Sequence, residues 1–110
     1  MTLEGLVPWL RPYAEWLAEA AHDADGRFTV TSVKRSPLEQ ARLYTAYLQG
    51  RSGGIPAAPP GRSKHQLGLA FDMARIGVDP REDELLPQAG AVWNYMGGVW
   101  RPSDPVHFEV

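Results

Sequence analysis

The chain of 110 residues predicts an α+β fold, a small antiparallel sheet backed by helices. Three observations predict it: apolar residues at helical spacing near the N-terminus, a β-branched run after them, and an overall order of helix, strand, helix, loop, strand, helix, strand. Leu6, Trp9, Leu10, Tyr13, Trp16, Leu17 and Ala20 recur at three and four, an amphipathic helix that should end before Gly26. His22, near its end, reads as solvated. The segment from Phe28 to Val33 is rich in β-branched residues and reads as a strand that delivers Arg35 at its end. Ser36, Pro37 and Glu39 then form a capping box with proline at the first helical position, where its missing amide proton costs nothing. This second helix runs to about Leu48 and stops near Gly50.

Residues 50–62 are a glycine and proline connector. Because it abuts Ser63 and His65, it also offers one wall to any cleft there. Leu69 to Met73 reads as a short buried strand, and residues 74–84 are polar and turn-rich. A third helix is expected from about Pro87 to Met96, ended by Gly97 and Gly98, and His107 to Val110 forms a terminal strand. Trp93 and Trp100 are assigned to the core. With no internal repeat and no linker, residues 1–110 read as a single domain.

Composition removes several function classes. A formal charge of −2 argues against a dominant basic surface to meet phosphates, so nucleic acid is not expected as the main partner. There are no cysteines, which removes disulfides and thiolate metal sites. No apolar run is long enough to span a membrane, so no membrane insertion is expected. The first residues lack the basic start and apolar stretch of a signal peptide. The expectation is a protein made in the cytoplasm that acts outside the cell only after lysis, release by another protein or carriage on a particle.

Two stretches concentrate the chemistry. One carries Ser63, His65, Gly68, Ala70 and Asp72; the other carries Asp104, His107, Phe108 and Glu109. Together they hold two of the chain's three histidines and enough carboxylates for one zinc ion and a base. Zinc takes nitrogen and oxygen donors at about 2.0 to 2.2 Å, three of them in a catalytic site. His65 and Asp72 must therefore bring their tips together. Seven residues of strand would separate them by roughly 23 Å and point them to opposite faces, and a helix would leave about 10 Å along its axis. The chain must bend, and Gly68 is the natural place.

Asp104 and His107 stand three apart, on one face of a helical turn with Pro105 at its first position and Asp104 as its cap. His107 is assigned as the third ligand and Asp104 as the base, although spacing alone would allow these roles to be permuted. Asp72 follows Leu69, Ala70 and Phe71, where an unpaired charge is costly, and a metal accounts for it.

The pattern from Ser63 to Asp72 followed by Asp104 to Glu109 resembles the zinc peptidases of bacterial cell walls. That family comprises D-alanyl-D-alanine carboxypeptidases and dipeptidases and the L-alanyl-D-glutamate endopeptidases of phage lysins. Lys34, Arg35, Ser36 and Gln40 resemble a further segment of the family, as does Trp100, so the likeness runs from about residue 6 to residue 110. It implies the fold of those peptidases, shared with the hedgehog signalling domain, and one Zn2+ held by His65, Asp72 and His107. It also implies Asp104 as the catalytic carboxylate, Arg35 facing the substrate, Ser63 lining the cleft and Gln40 supporting it from behind. Lys34 departs from the aromatic residue common there. Asp104 stands where the carboxypeptidase branch usually has glutamate, which points towards the endopeptidase branch. Glu109 is expected to orient a ligand or pair with a nearby base.

The expected activity is zinc-dependent hydrolysis of peptidoglycan stem peptides, most closely that of an L-alanyl-D-glutamate endopeptidase. The alternatives are a D-alanyl-D-alanine carboxypeptidase and a zinc-holding wall-binding module without turnover. Since both histidines must be neutral to bind metal, activity is expected to fall on acidification, and a flat profile down to about pH 4 would contradict this.

Overall fold

A computed structural model describes residues 3–110. The elements follow the expected order with one addition: α1 (Arg11–Ala24), β1 (Phe28–Ser32), α2 (Pro37–Leu48), β2 (Ala70–Arg75), α3 (Leu85–Tyr95), β3 (Val99–Trp100) and β4 (His107–Glu109). The four strands form one antiparallel sheet in the order β1-β2-β4-β3. The expected α+β class and antiparallel sheet are therefore present.

Alternation along the strands divides the sheet into two faces. Phe71 and Met73 in β2 and Phe108 in β4 point into the core, where they meet Leu10, Leu17, Leu86 and Trp93. Phe71 and Phe108 are cross-strand partners and their rings stack at 5.3 Å, with Trp93 set edge-on to Phe71. Asp72 and His107 are also partners across β2 and β4, and alternation sends them to the other face. The register that builds the core thus also builds the site.

The first helix departs from expectation at its start and on its buried face. Residues 4–10 are turns and bends rather than helix. Pro12 has no amide proton to give the carbonyl of residue 8, so helical bonding does not extend back. Trp9, Tyr13 and Trp16 are 58, 55 and 55% exposed, whereas Ala14, Leu17, Ala18 and Ala21 are buried. Ala20 is exposed as well. Small residues face inward because α1 packs against both β1 and α3, and alanines permit that approach. Its His22 is exposed, with Nδ1 3.0 Å from the Phe28 carbonyl oxygen.

The second helix begins as expected, with Ser36 Oγ accepting the Glu39 amide at 3.1 Å. The third begins two residues early, at Leu85, which places Pro87 in the first turn where it is tolerated. Trp93 is buried as expected, and Trp100 is half-buried against Gly90, where a methyl group would meet the indole at 2.1 Å. The Trp100 indole N–H donates to the Pro105 carbonyl at 2.9 Å. Among the described residues no helix is long and apolar enough to cross a membrane.

Candidate metal centre

The bend expected at Gly68 is present. Its φ is +72°, and a Cβ there would lie 2.7 Å from the Gly5 carbonyl oxygen, so only glycine fits without displacement. The Gly68 carbonyl in turn accepts the Val7 amide at 3.0 Å. This closure folds the turn carrying His65 back over β2. His65 is 1% exposed, and its amide donates to Ser63 Oγ at 3.2 Å.

Both imidazoles are oriented by what they bond on their outer side. His65 Nδ1 lies 2.6 Å from the Val33 carbonyl oxygen. A carbonyl only accepts, so Nδ1 carries the proton and the Nε2 lone pair faces inward. His107 Nε2 lies 3.2 Å from Glu109 Oε1, which leaves Nδ1 facing inward by the same reasoning. His65 Nε2 is then 3.0 Å from Asp72 Oδ1 and 3.2 Å from His107 Nδ1, and His107 Nδ1 is 3.3 Å from Asp72 Oδ1. These three donor atoms all lie within 4.8 Å of one another. Three lone pairs converging on one point repel unless a cation sits among them. The set of two imidazoles and one carboxylate fits a catalytic zinc ion.

Asp72 is shared between this point and Arg35. Burial pushes its carboxyl up, but with no metal bound, protons on the inward nitrogens of His107 and His65 bond it and, with the charge of Arg35, outweigh this and hold it at about 2. Arg35 Nη2 donates to Asp72 Oδ2 at 2.8 Å, and Arg35 Nη1 to Gln40 Oε1 at 3.1 Å. Gln40 is fully buried, and its Nε2 bonds the Ala58 carbonyl at 2.7 Å. Gln40 thus stands behind Arg35 and ties it to the 50–62 connector.

Asp104 sits in the turn before β4, its carbonyl accepting the His107 amide at 3.1 Å. The turn does not become a helix, and the side chain caps nothing: Oδ1 is buried without a hydrogen-bond partner. Burial raises its carboxyl above the ordinary range, the neighbouring Asp72 adds to this, and His107, His65 and Arg35 offset part of it. An orphaned buried oxygen is costly. A water beside the three converging atoms would give it a donor.

The residues named in the sequence line one cleft of about 870 Å³: Arg35, Gln40, Ser63, His65, Asp72, Asp104 and His107. Residues of the 50–62 connector, Ile55 and Pro56 among them, form one wall. Arg101 also lines it and escaped the sequence reading. It bonds Glu109 at 3.2 Å, and its only linear signal was its position between Trp100 and Asp104.

A family model described as VanY, D-alanyl-D-alanine carboxypeptidase, matches residues 8–93. No curated protein matches the sequence. Among solved structures, the L,D-carboxypeptidase DacB from Streptococcus pneumoniae is 23% identical with a TM-score of 0.69, over 96% of this chain and 66% of that one. The vancomycin-resistance D,D-pentapeptidase VanY in complex with Zn(II) is 23% identical with a TM-score of 0.70, over 94% of this chain and 71% of that one. The D,D-dipeptidase VanXYg, in complex with a D-Ala-D-Ala phosphinate analogue, is 20% identical with a TM-score of 0.69, over 94% of this chain and 49% of that one. The chain thus spans between half and three quarters of the length of these structures, and they share its fold. The match to the family model carries Arg35, His65 and Asp72, and the fold adds Asp104 and His107 beside them. The chain belongs to the VanY family of D-alanyl-D-alanine carboxypeptidases.

Proposed function

We propose that this protein is a zinc-dependent peptidase that hydrolyses the stem peptides of peptidoglycan. The observation that carries the reading is the buried, unpartnered Asp104 Oδ1 in the cleft that holds the converging donors of His65, Asp72 and His107. A structural zinc site is usually closed by four protein ligands. Here the described residues offer three, with a carboxylate base beside them.

Zinc, when bound, supplies a Lewis acid that polarises the scissile carbonyl and acidifies the attacking water. His65, Asp72 and His107 would hold it. Asp104 Oδ1 takes the proton of the attacking water, keeps it while the carbon–nitrogen bond breaks, and delivers it to the departing amine. Burial raises the proton affinity of Asp104, which suits a group that must both accept and return a proton. Arg35 spends two of its donors on Asp72 and Gln40. The others can meet the negative charge that develops on the carbonyl oxygen, or a substrate carboxylate.

Arg51, Arg62, Lys64 and Arg101 also line the cleft, although the chain as a whole is acidic. That local excess of cations suits a peptide carrying several free carboxylates. Membership of the carboxypeptidase family favours removal of a C-terminal D-amino acid. Asp104, where the resemblance associates glutamate with carboxypeptidases, favours the L-alanyl-D-glutamate endopeptidase as a second reading.

The test is digestion of purified peptidoglycan by zinc-loaded protein, with the new ends identified by mass. Free D-alanine supports the carboxypeptidase, and a new N-terminal D-glutamyl end the endopeptidase. Protein bound to an unchanged wall would overturn hydrolysis and leave a zinc-holding binding module.

A further inference from the structure

We propose that Glu109 is a positioning residue whose hydrogen bond sets the metal-binding face of His107; this rests on the reading of the centre as a zinc site. Strand β4 places His107 and Glu109 two residues apart on the same side of the sheet, with Phe108 between them turned into the core. Glu109 Oε1 lies 3.2 Å from His107 Nε2 and 3.2 Å from Arg101 Nη1. Its carboxylate is thus on the far side of the ring from Nδ1, the atom that faces Asp72 and His65.

The two histidines are held by different means. His65 is fixed by a main-chain carbonyl, that of Val33, which no side-chain substitution removes. His107 depends on a side chain. A neutral imidazole carries one proton, and the nitrogen that lacks it is the one that can bind metal. With Glu109 accepting at Nε2, the lone pair is at Nδ1; without an acceptor there, the proton can sit on either nitrogen and the ring can turn. Arg101 neutralises Glu109 and holds it in place, so the carboxylate does not swing inward to become a fourth ligand. The main chain of Glu109 is fixed independently, since its carbonyl accepts the Trp93 indole N–H at 2.8 Å. Substituting the side chain therefore leaves the strand anchored.

The test is zinc affinity at fixed neutral pH by chelator competition, together with the visible spectrum of the cobalt-substituted protein. Glu109→Ala should raise the zinc dissociation constant about 10- to 100-fold, the range usual for loss of such an outer partner, and shift the cobalt bands. Glu109→Gln keeps an oxygen that can accept from Nε2 and should recover most of the affinity and the parent spectrum. Should Glu109→Ala not fold, Glu109→Met removes the acceptor at similar volume and gives the same comparison. An alanine or methionine variant that binds zinc like the parent with an unchanged spectrum overturns the proposal, and so does a glutamine variant no better than alanine. A parent that binds no zinc overturns both this and the zinc-site reading. A parent that binds zinc but cuts no wall sinks only the peptidase reading.

Discussion

Arg35 Nη2 donates to Asp72 Oδ2 at 2.8 Å while Asp72 Oδ1 faces both histidines. One carboxylate is therefore divided, one oxygen for the metal point and one for the arginine. The arrangement ties the end of β1 to the centre of β2 and fixes the rotation of the Asp72 carboxylate. Arg35→Ala is expected to raise the zinc dissociation constant about 10- to 100-fold and also to lower kcat when zinc is saturating. Arg35→Lys keeps the charge but loses the planar fork that bonds Asp72 and Gln40 together, and should recover only part of either. Chelator competition and steady-state rates on a stem peptide check this. An Arg35→Ala variant with parental zinc affinity would show that Asp72 needs no such anchor.

Asp104→Asn separates catalysis from stability. Because burial raises the Asp104 carboxyl, the folded state favours its protonated form. Its ionised form therefore detracts from stability as pH rises through the folded pKa. Asparagine removes that charge, so the melting temperature at pH 7 should hold or rise, zinc affinity should stay near parental, and kcat/KM should fall about 10²- to 10⁴-fold. A variant that lost its zinc would mean that Asp104 is a ligand and that the division between ligand and base is wrong.

How much of this was legible in the sequence follows from how local each signal is. His65, Asp72 and His107 could be named because rare residue types recur in tight motifs, and the bend at Gly68 because two ligands seven apart cannot otherwise meet. The inward face of α1 was misread: Trp9, Tyr13 and Trp16 share helical spacing with Leu10 and Leu17, and nothing local says that alanines face the sheet. Strand β3 is two residues long, too short for any alternation to show. Arg101 and Asp83 were missed because each acts through partners brought near by the fold, Glu109 for one and Arg75 for the other.

The turn at Gly68 links stability to the site. Alanine there would have to hold φ near +72° and clear the Gly5 oxygen, which lies 2.7 Å from its Cβ. Strain of this kind costs of order 1–3 kcal/mol. Gly68→Ala should therefore lower stability by about that amount, and because the same turn carries His65, weaken zinc binding as well. Denaturant melts of the metal-free protein and chelator competition give the two numbers. A loss of stability with unchanged zinc affinity would mean that His65 is held by Val33 and Ser63 alone.

The far end of β2 carries a second set of charges with no part in the chemistry. Arg75 forms two bonds with Asp83, Nη2 to Oδ1 at 2.9 Å and Nε to Oδ2 at 3.2 Å, and Nη1 reaches Asp25 at 3.1 Å. The Asp83 side chain is 0% exposed and also accepts the Leu85 amide at 2.8 Å at the entry to α3. Asp83→Ala strips Arg75 of two of its three bonds and the Leu85 amide of its acceptor, so it should lower the melting temperature while activity per folded molecule is unchanged. Asp25 adds a pH dependence. Bonds from the Arg27 side chain and amide, with a further one from Arg75, hold its carboxyl well below the ordinary range. A depressed carboxyl contributes stability that is fully present above its unfolded value of about 3.9 and is lost as pH falls towards the folded value. Asp25→Asn should therefore be less stable than the parent at pH 7, with the difference shrinking below about pH 4. Urea melts of metal-free protein from pH 7 to pH 2.5 measure this directly. A difference constant across that range would mean that Asp25 acts through its Arg27 turn geometry and not through its charge.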